Sequence, residues 1–303
     1  MLDIEDAARS FVGSIPVVGI VIALIGAVFL SLGAQLQHRG VGKVEASHGS
    51  GDKQGLSLRQ LLRLLGRPSW LFGTIMLGLA IVFQLTSLVF APITVVQPLG
   101  VVALVITAIV NARVSKVSLD RLSIRAIAFC VGGVGIFVVF AAIFAQERAI
   151  QGDQLLVILA ILGFAIASLA LVFAFFRARL GAIFYITAAG VLYGFVASLA
   201  KVVINRIGNG SFEWLTLVCI AALIAAASLG AYFVQTAYSV GSPDLVIAGL
   251  TVVDPLIAVA IGIVVLGEAA HVPVWVLPIW LVSASIAVYG VFQLARHHPQ
   301  THR

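Results

Sequence analysis

The sequence predicts an all-α polytopic membrane protein with nine transmembrane helices, and three observations lead to this fold class. Of the 303 residues, 61% are hydrophobic and only 10% are charged, whereas soluble domains average about 45–50% and about 25%. The apolar residues form nine runs, each near the length that a helix needs to cross a bilayer. None of the runs alternates between apolar and polar residues, as a barrel strand would. The composition excludes a water-soluble enzyme and a disordered chain.

The predicted spans follow one another closely, apart from a long loop over 38–68. Helices are expected because lipid cannot hydrogen-bond the backbone, so each segment must satisfy its own N–H and C=O groups. The second and third spans meet at Ala91-Pro92, which predicts a tight hairpin. Within the long loop, arginines at every fourth position of 56–67 predict a surface helix. The spans are predicted at 16–37, 69–90, 93–112, 124–145, 154–176, 181–204, 214–239, 244–267 and 273–295.

The basic residues are divided unequally between the two sides of the predicted bundle. Of the 18 lysines and arginines, 14 lie on the side of the long loop and the C-terminus, and 4 lie on the other side. The positive-inside rule therefore predicts an extracellular N-terminus (1–15) and a cytoplasmic tail (296–303), in a plasma membrane. The net charge of +6 is explained by this orientation, and no nucleic-acid partner is expected.

Two segments of the chain resemble each other. Gln84 is followed eight residues later by Pro92 and then by Thr-Val-Val-Gln-Pro-Leu at 94–99, while Gln235 is followed eight residues later by Pro243 and then by Thr-Val-Val-Asp-Pro-Leu at 251–256. This match predicts two four-helix repeats, 16–145 and 181–295, joined by a connector helix within 146–180. Because a single helix connects the repeats, the second repeat crosses the membrane in the opposite direction to the first. Such inverted repeats are common in secondary transporters.

One carboxylate lies near the middle of a predicted span. Asp254 is followed by Pro255, which removes a helix hydrogen bond and frees a carbonyl group. Burying an acid in a membrane helix costs at least about 2.5–3.5 kcal/mol, so such a residue indicates a functional site. It would bind a proton, a cation or an amine; the alternative is a polar contact between helices. Its repeat equivalent is Gln97 beside Pro98, and the two positions are expected to flank a cavity.

Further polar residues lie inside the predicted spans. Gln84 and Gln235 are equivalent in the two repeats and are candidates for lining the cavity, although each alone fits a helix-packing role as well. Further polar candidates are Gln35, Thr86, Tyr193 and Thr236. Lys201 lies towards the outer end of its span, where it either extends to the headgroups or pairs with Asp254 or a substrate anion.

Two glycine patterns predict close helix crossings, Gly132-Gly133-x-Gly135 and Gly190-x-x-x-Gly194. No second membrane acid pairs with Asp254, and the sequence has no phosphate-binding glycine loop or histidine pair at metal spacing. We therefore expect neither an enzyme nor a cofactor, and leave a metal site open.

The chain resembles the drug/metabolite transporter superfamily in the segment from Ala91 to Gly100 and in Thr251–Glu268. Gly267-Glu268 at the end of the eighth span resembles the EamA-type signature, and the first segment is also similar to the NIPA-type magnesium transporters. The resemblance implies an inverted-repeat fold around a central cavity that moves a small solute. Magnesium sites normally use several carboxylates and retained waters, whereas one acid is found here, which makes magnesium the second choice.

The sequence thus predicts a secondary active transporter that moves a small organic solute by alternating access, with proton coupling at Asp254. The alternatives are a NIPA-like magnesium or divalent-cation transporter and, from a different class, a non-transporting scaffold or lipid flippase subunit. The expected partners are the solute or cation and the lipid bilayer, with a homodimer as an open option.

Overall fold

Nine α-helices form the described part of the chain, which in this computed structural model comprises residues 16–46, 68–114, 121–146, 150–176, 180–210, 212–241 and 243–296. Each helix is long and apolar enough to cross a membrane. The chain is therefore a multi-pass α-helical membrane protein, as predicted. The helices are α1 (Val17–Ala46), α2 (Pro68–Phe90), α3 (Ile93–Val114), α4 (Arg121–Phe144), α5 (Gly152–Phe176), α6 (Ala182–Gly208), α7 (Trp214–Val240), α8 (Pro243–Val264) and α9 (Val276–Arg296).

The predicted boundaries lie within four residues of the observed ones except at the end of α1. α1 continues to Ala46, so assigning 38–46 to the loop was wrong; polar residues do not stop a formed helix, in which each added residue gains one hydrogen bond. α8 ends at Val264 rather than at 267, because Gly267 has a φ of 71° and turns the chain. The predicted surface helix at 56–67 and both predicted termini lie outside the described residues, apart from Arg296.

The helices pack in matching pairs in the two halves of the chain. α1 contacts α2 and α3, and α6 contacts α7 and α8 in the same way. The halves meet where α3 contacts α8 and α4 contacts α9. Among the described residues, α5 packs mainly against α6 and α7, and its Phe164 and Phe175 are 74% and 75% exposed. Apolar surface of this kind requires a lipid covering.

Small residues determine how closely α4 and α9 approach. A methyl group added at Gly133 would lie 2.5 Å from the backbone nitrogen of Ala287, and one at Gly290 would lie 2.5 Å from that of Cys130. Gly132 and Gly135, by contrast, have open space around the position of a methyl group. Only the middle glycine of the predicted crossing motif is therefore required by the helix contact.

Three connections meet at one end of the bundle. The Ala91-Pro92 hairpin between α2 and α3 is as short as predicted. The backbone N–H of Gln146, after α4, donates to the carbonyl of Glu268, after α8 (3.0 Å), and the Gln154 side chain of α5 donates to the Val265 carbonyl (3.0 Å). We call this the hairpin end.

Candidate functional site

Asp254 lies inside α8 where this helix approaches α6 most closely. A methyl group added at Gly190 would lie 2.6 Å from the Val253 side chain, and one at Gly194 would lie 3.0 Å from the Asp254 carbonyl oxygen. The Gly190-x-x-x-Gly194 motif therefore forms the close crossing that the sequence predicts. The backbones of α6 and α8 therefore approach each other most closely at Asp254, the one acid in the middle of α8.

The Asp254 carboxyl group has a buried oxygen without a hydrogen-bond donor among the described residues. Oδ1 is buried and has no partner among the described residues, whereas the residue as a whole is half-buried. The phenol of Tyr193 lies within electrostatic range of this carboxyl group and of Tyr238. The Tyr193 ring rests on α7, where a methyl group added at Gly230 would lie 2.9 Å from its Cε1. An acid in this environment can accept a proton or a cationic group.

An apolar cavity of about 60 Å³ lies between α3, α4, α8 and α9, on another face of α8. Pro98 and Pro255 both line it, so the structure brings the two repeat-related prolines together. Asp254, Gln97, Gln84 and Gln235 are not among its lining residues. The lining residues are Pro98, Val101, Val134, Phe137, Thr251, Val252, Pro255, Leu256, Val259, Ala284, Ala287, Val288 and Val291.

The three predicted glutamines occupy different environments. Gln97 is buried in α3 and only 6% exposed, while Gln84 of α2 is half-buried. Gln235 of α7 is exposed. The structure thus gives the repeat-related Gln84 and Gln235 unequal surroundings and does not assemble the three amides around the cavity between the prolines.

Lys201 of α6 is buried at the hairpin end, where it is only 5% exposed. Its Nζ donates hydrogen bonds to the carbonyl oxygens of Leu88 (2.7 Å) and Ala91 (2.8 Å). These carbonyls belong to the last turn of α2 and the hairpin, where backbone acceptors lack intrahelical donors. Lys201 therefore holds the backbone of the first half instead of extending to the headgroups.

Glu268 is a second buried acid, which the sequence reasoning missed. It is 3% exposed, and its carboxylate accepts hydrogen bonds from the N–H groups of Ile93 (2.8 Å) and Thr94 (2.9 Å) and from the Thr94 hydroxyl. Burial raises the pKa of Glu268, while the donors of Thr94 and Ile93 and the charge of Lys201 oppose that rise. Glu268 follows the eighth apolar run directly, so its position in the sequence is typical of a loop residue. The signal for its role was the unpaired N-terminus of α3 that the hairpin predicts.

Lys201 and Glu268 both hydrogen-bond the backbone of the hairpin between α2 and α3. We call them, with their partners Leu88, Ala91, Ile93 and Thr94, the hairpin clamp. Asp254 lies apart from the clamp, because it is eight residues, or about 12 Å of helix, from Gly262, where a methyl group would lie 2.9 Å from Glu268 Oε2. The two buried acids are thus separate sites. Within the described residues, no group of three histidine, cysteine, aspartate or glutamate side chains could hold a metal ion.

The comparisons with known proteins give a distant relative. An uncharacterized protein of Corynebacterium glutamicum is 25% identical over 257 residues, which cover 84% of this chain and 87% of that protein. No family model matches the chain. No solved structure matches it either.

Proposed function

We propose that this chain is a secondary active transporter that moves a small organic solute by alternating access, with Asp254 as its proton or cation site. The observation behind the proposal is the buried Oδ1 of Asp254, which has no hydrogen-bond donor among the described residues. A carboxylate held this way inside a membrane helix is costly. Binding and release of a proton or a cation would explain why a carboxylate is found at this position despite its cost.

The packing of the helices supports two related halves. α1 contacts α2 and α3, α6 likewise contacts α7 and α8, and the halves join through α3–α8 and α4–α9. Pro98 and Pro255, the prolines of the two related motifs, both line one cavity. We propose that these halves are inverted repeats connected by α5, which suits movement of one half against the other.

The size of the cavity supports a closed conformation. Sites for drug-sized molecules measure about 300–1,000 Å³, and the cavity between the prolines is about 60 Å³. A solute would enter only after the halves separate. We propose membership of the drug/metabolite transporter superfamily and a plasma-membrane location with the N-terminus outside, from the sequence motifs and the 14-to-4 division of the basic residues.

The flux of solutes into vesicles that contain the purified chain tests this function. Amines, amino acids, sugars and Mg²⁺ are compared with and without a pH gradient. We expect an organic solute to move, the gradient to drive it, and Asp254→Asn to lower the flux at least tenfold. The matched control is Asp153→Asn, which changes an exposed acid at the start of α5 in the same way and should leave the flux unchanged.

Other outcomes would contradict the proposal in distinct ways. Flux of Mg²⁺ that is unaffected by organic solutes would favour the magnesium transporter. Full organic flux in the Asp254→Asn variant would remove the role of Asp254. Absence of any flux from a folded protein would favour the scaffold or flippase subunit.

A further inference from the structure

We propose that the hairpin clamp is a releasable lock, in which Lys201 and Glu268 close the hairpin end of a path that leads to Asp254. The inference rests on the proposed function, because it assumes that Asp254 must be reached from one side of the membrane at a time. It adds that the two charged residues keep this end shut.

The chemistry of the clamp matches the two helix ends that it holds. An α-helix has partial negative charge at its C-terminus and partial positive charge at its N-terminus. The ammonium group of Lys201 donates hydrogen bonds to carbonyls at the end of α2. The carboxylate of Glu268 accepts hydrogen bonds from N–H groups at the start of α3. Both charged side chains come from the second half of the chain, and the hairpin belongs to the first. The clamp therefore ties the two halves together at this end.

A row of residues on α8 connects Asp254 with the clamp. Asp254, Ala258 and Gly262 are spaced by four residues, which places them on one face of the helix. Ala258 is fully buried, and a methyl group at Gly262 would lie 2.9 Å from Glu268 Oε2 and 3.1 Å from Thr94 Oγ1. The clamp covers this face at Gly262, so we expect separation of Glu268 from α3 to open the face from that end.

The acid of the clamp is present in only one of the two repeats. Glu268 is the seventeenth residue after Thr251, and the seventeenth residue after Thr94 is Asn111. An asparagine cannot supply the negative charge that Glu268 places at a helix N-terminus. The lock therefore distinguishes one end of the bundle from the other, although the repeats have the same proline motif.

A lock of this kind can open because burying charges is costly. Each buried ion loses its hydration, and the bonds that it makes return only part of this free energy. When the hairpin moves away and water enters, both Lys201 and Glu268 regain solvation. The closed and open states can then be close in free energy despite the number of bonds broken.

The accessibility of α8 tests the lock without any transport. A single cysteine is placed by Ala258→Cys after both native cysteines, which are buried, are changed by Cys130→Ala and Cys219→Ala. The labelling rate with a membrane-impermeant maleimide is measured in detergent, without solute. We expect Lys201→Met and Glu268→Gln to raise this rate at least fivefold.

Two further variants keep the test decisive. Thr94→Val removes only the hydroxyl donor to Glu268, and we expect it to raise the labelling rate about twofold. If the charge variants do not fold, the labelling rate of Thr94→Val decides the test. Arg206→Met removes another buried charge, one that bonds Thr216 and Glu213 and not the hairpin, and should leave the rate unchanged. Unchanged labelling in the folded clamp variants, or an equal rise in Arg206→Met, would overturn the lock. Either result would leave the flux experiment on Asp254 unaffected.

Discussion

Individual residues in this protein show how a membrane interior accommodates charge. Lys201 and Glu268 are both almost fully buried, and each satisfies its charge with backbone groups at a helix end. Asp254 differs, because its Oδ1 lacks a donor among the described residues. The contrast separates two charges that bond helix ends from an acid that has a buried oxygen without a donor among the described residues.

The two charges of the clamp should be energetically coupled. Removing either one leaves the other buried beside a rearranged hairpin, so the second removal should cost less than the first. We expect the double variant Lys201→Met/Glu268→Gln to be more stable than the sum of the single effects by about 0.5–3 kcal/mol. Unfolding in detergent with a chemical denaturant would measure this coupling.

The control for the coupling pairs Lys201→Met with Asp153→Asn. Asp153 is exposed at the start of α5, so these two effects should add. Additive effects within the clamp as well would mean that Lys201 and Glu268 act independently.

At the scale of the helices, contacts between small residues set the distances. α6 approaches α8 at Gly190 and Gly194, and α4 approaches α9 at Gly133 and Gly290. In lipid there is no hydrophobic force between helices, so close backbone contact is a main source of attraction. A single methyl group at such a contact is therefore expected to have a large effect.

Gly133→Ala should destabilise the protein by about 1–3 kcal/mol, the usual cost of overpacking a close contact. The added Cβ would lie 2.5 Å from the backbone nitrogen of Ala287 and 2.6 Å from the carbonyl oxygen of Ser283, so α4 and α9 must move apart. The midpoint of thermal unfolding in detergent should fall accordingly.

The neighbouring variant Gly132→Ala is the matched control. No atom of the described residues lies within 4 Å of its added methyl group, and alanine is the better helix former. Its midpoint should be unchanged or slightly higher. An equal fall in both variants would show that α4 and α9 are not held together at Gly133.

At the scale of the whole molecule, the division of basic residues predicts which end faces outward. The hairpin end belongs to the side with 4 of the 18 basic residues, and the positive-inside rule places this side outside the cell. The clamp would then close the protein towards the exterior.

Labelling of intact cells tests this orientation in the background without native cysteines. Phe212→Cys places an exposed thiol between α6 and α7, at the hairpin end, and Gly181→Cys places one at the opposite end. An impermeant maleimide should label the first in intact cells and the second only after the cells are opened. The reverse pattern would put the clamp on the cytoplasmic side.

The sequence by itself determined the fold class, the nine helices and the short hairpin at Ala91-Pro92. These features follow from the length of each apolar run and from proline, which are local properties. It also singled out Asp254, because an acid inside an apolar run is visible without coordinates. The close crossing at Gly190 and Gly194 was predicted from spacing alone.

The tertiary structure decided which distant residues meet. Glu268 and Thr94 are 174 positions apart in the chain, and no local pattern shows that the carboxylate of one holds the N-terminus of the other's helix. In the same way, only packing distinguishes Gly133 from Gly132, or the buried Gln97 from the exposed Gln235. Burial and hydrogen bonding depend on neighbours brought in by folding, whereas spacing and hydropathy are properties of the chain itself.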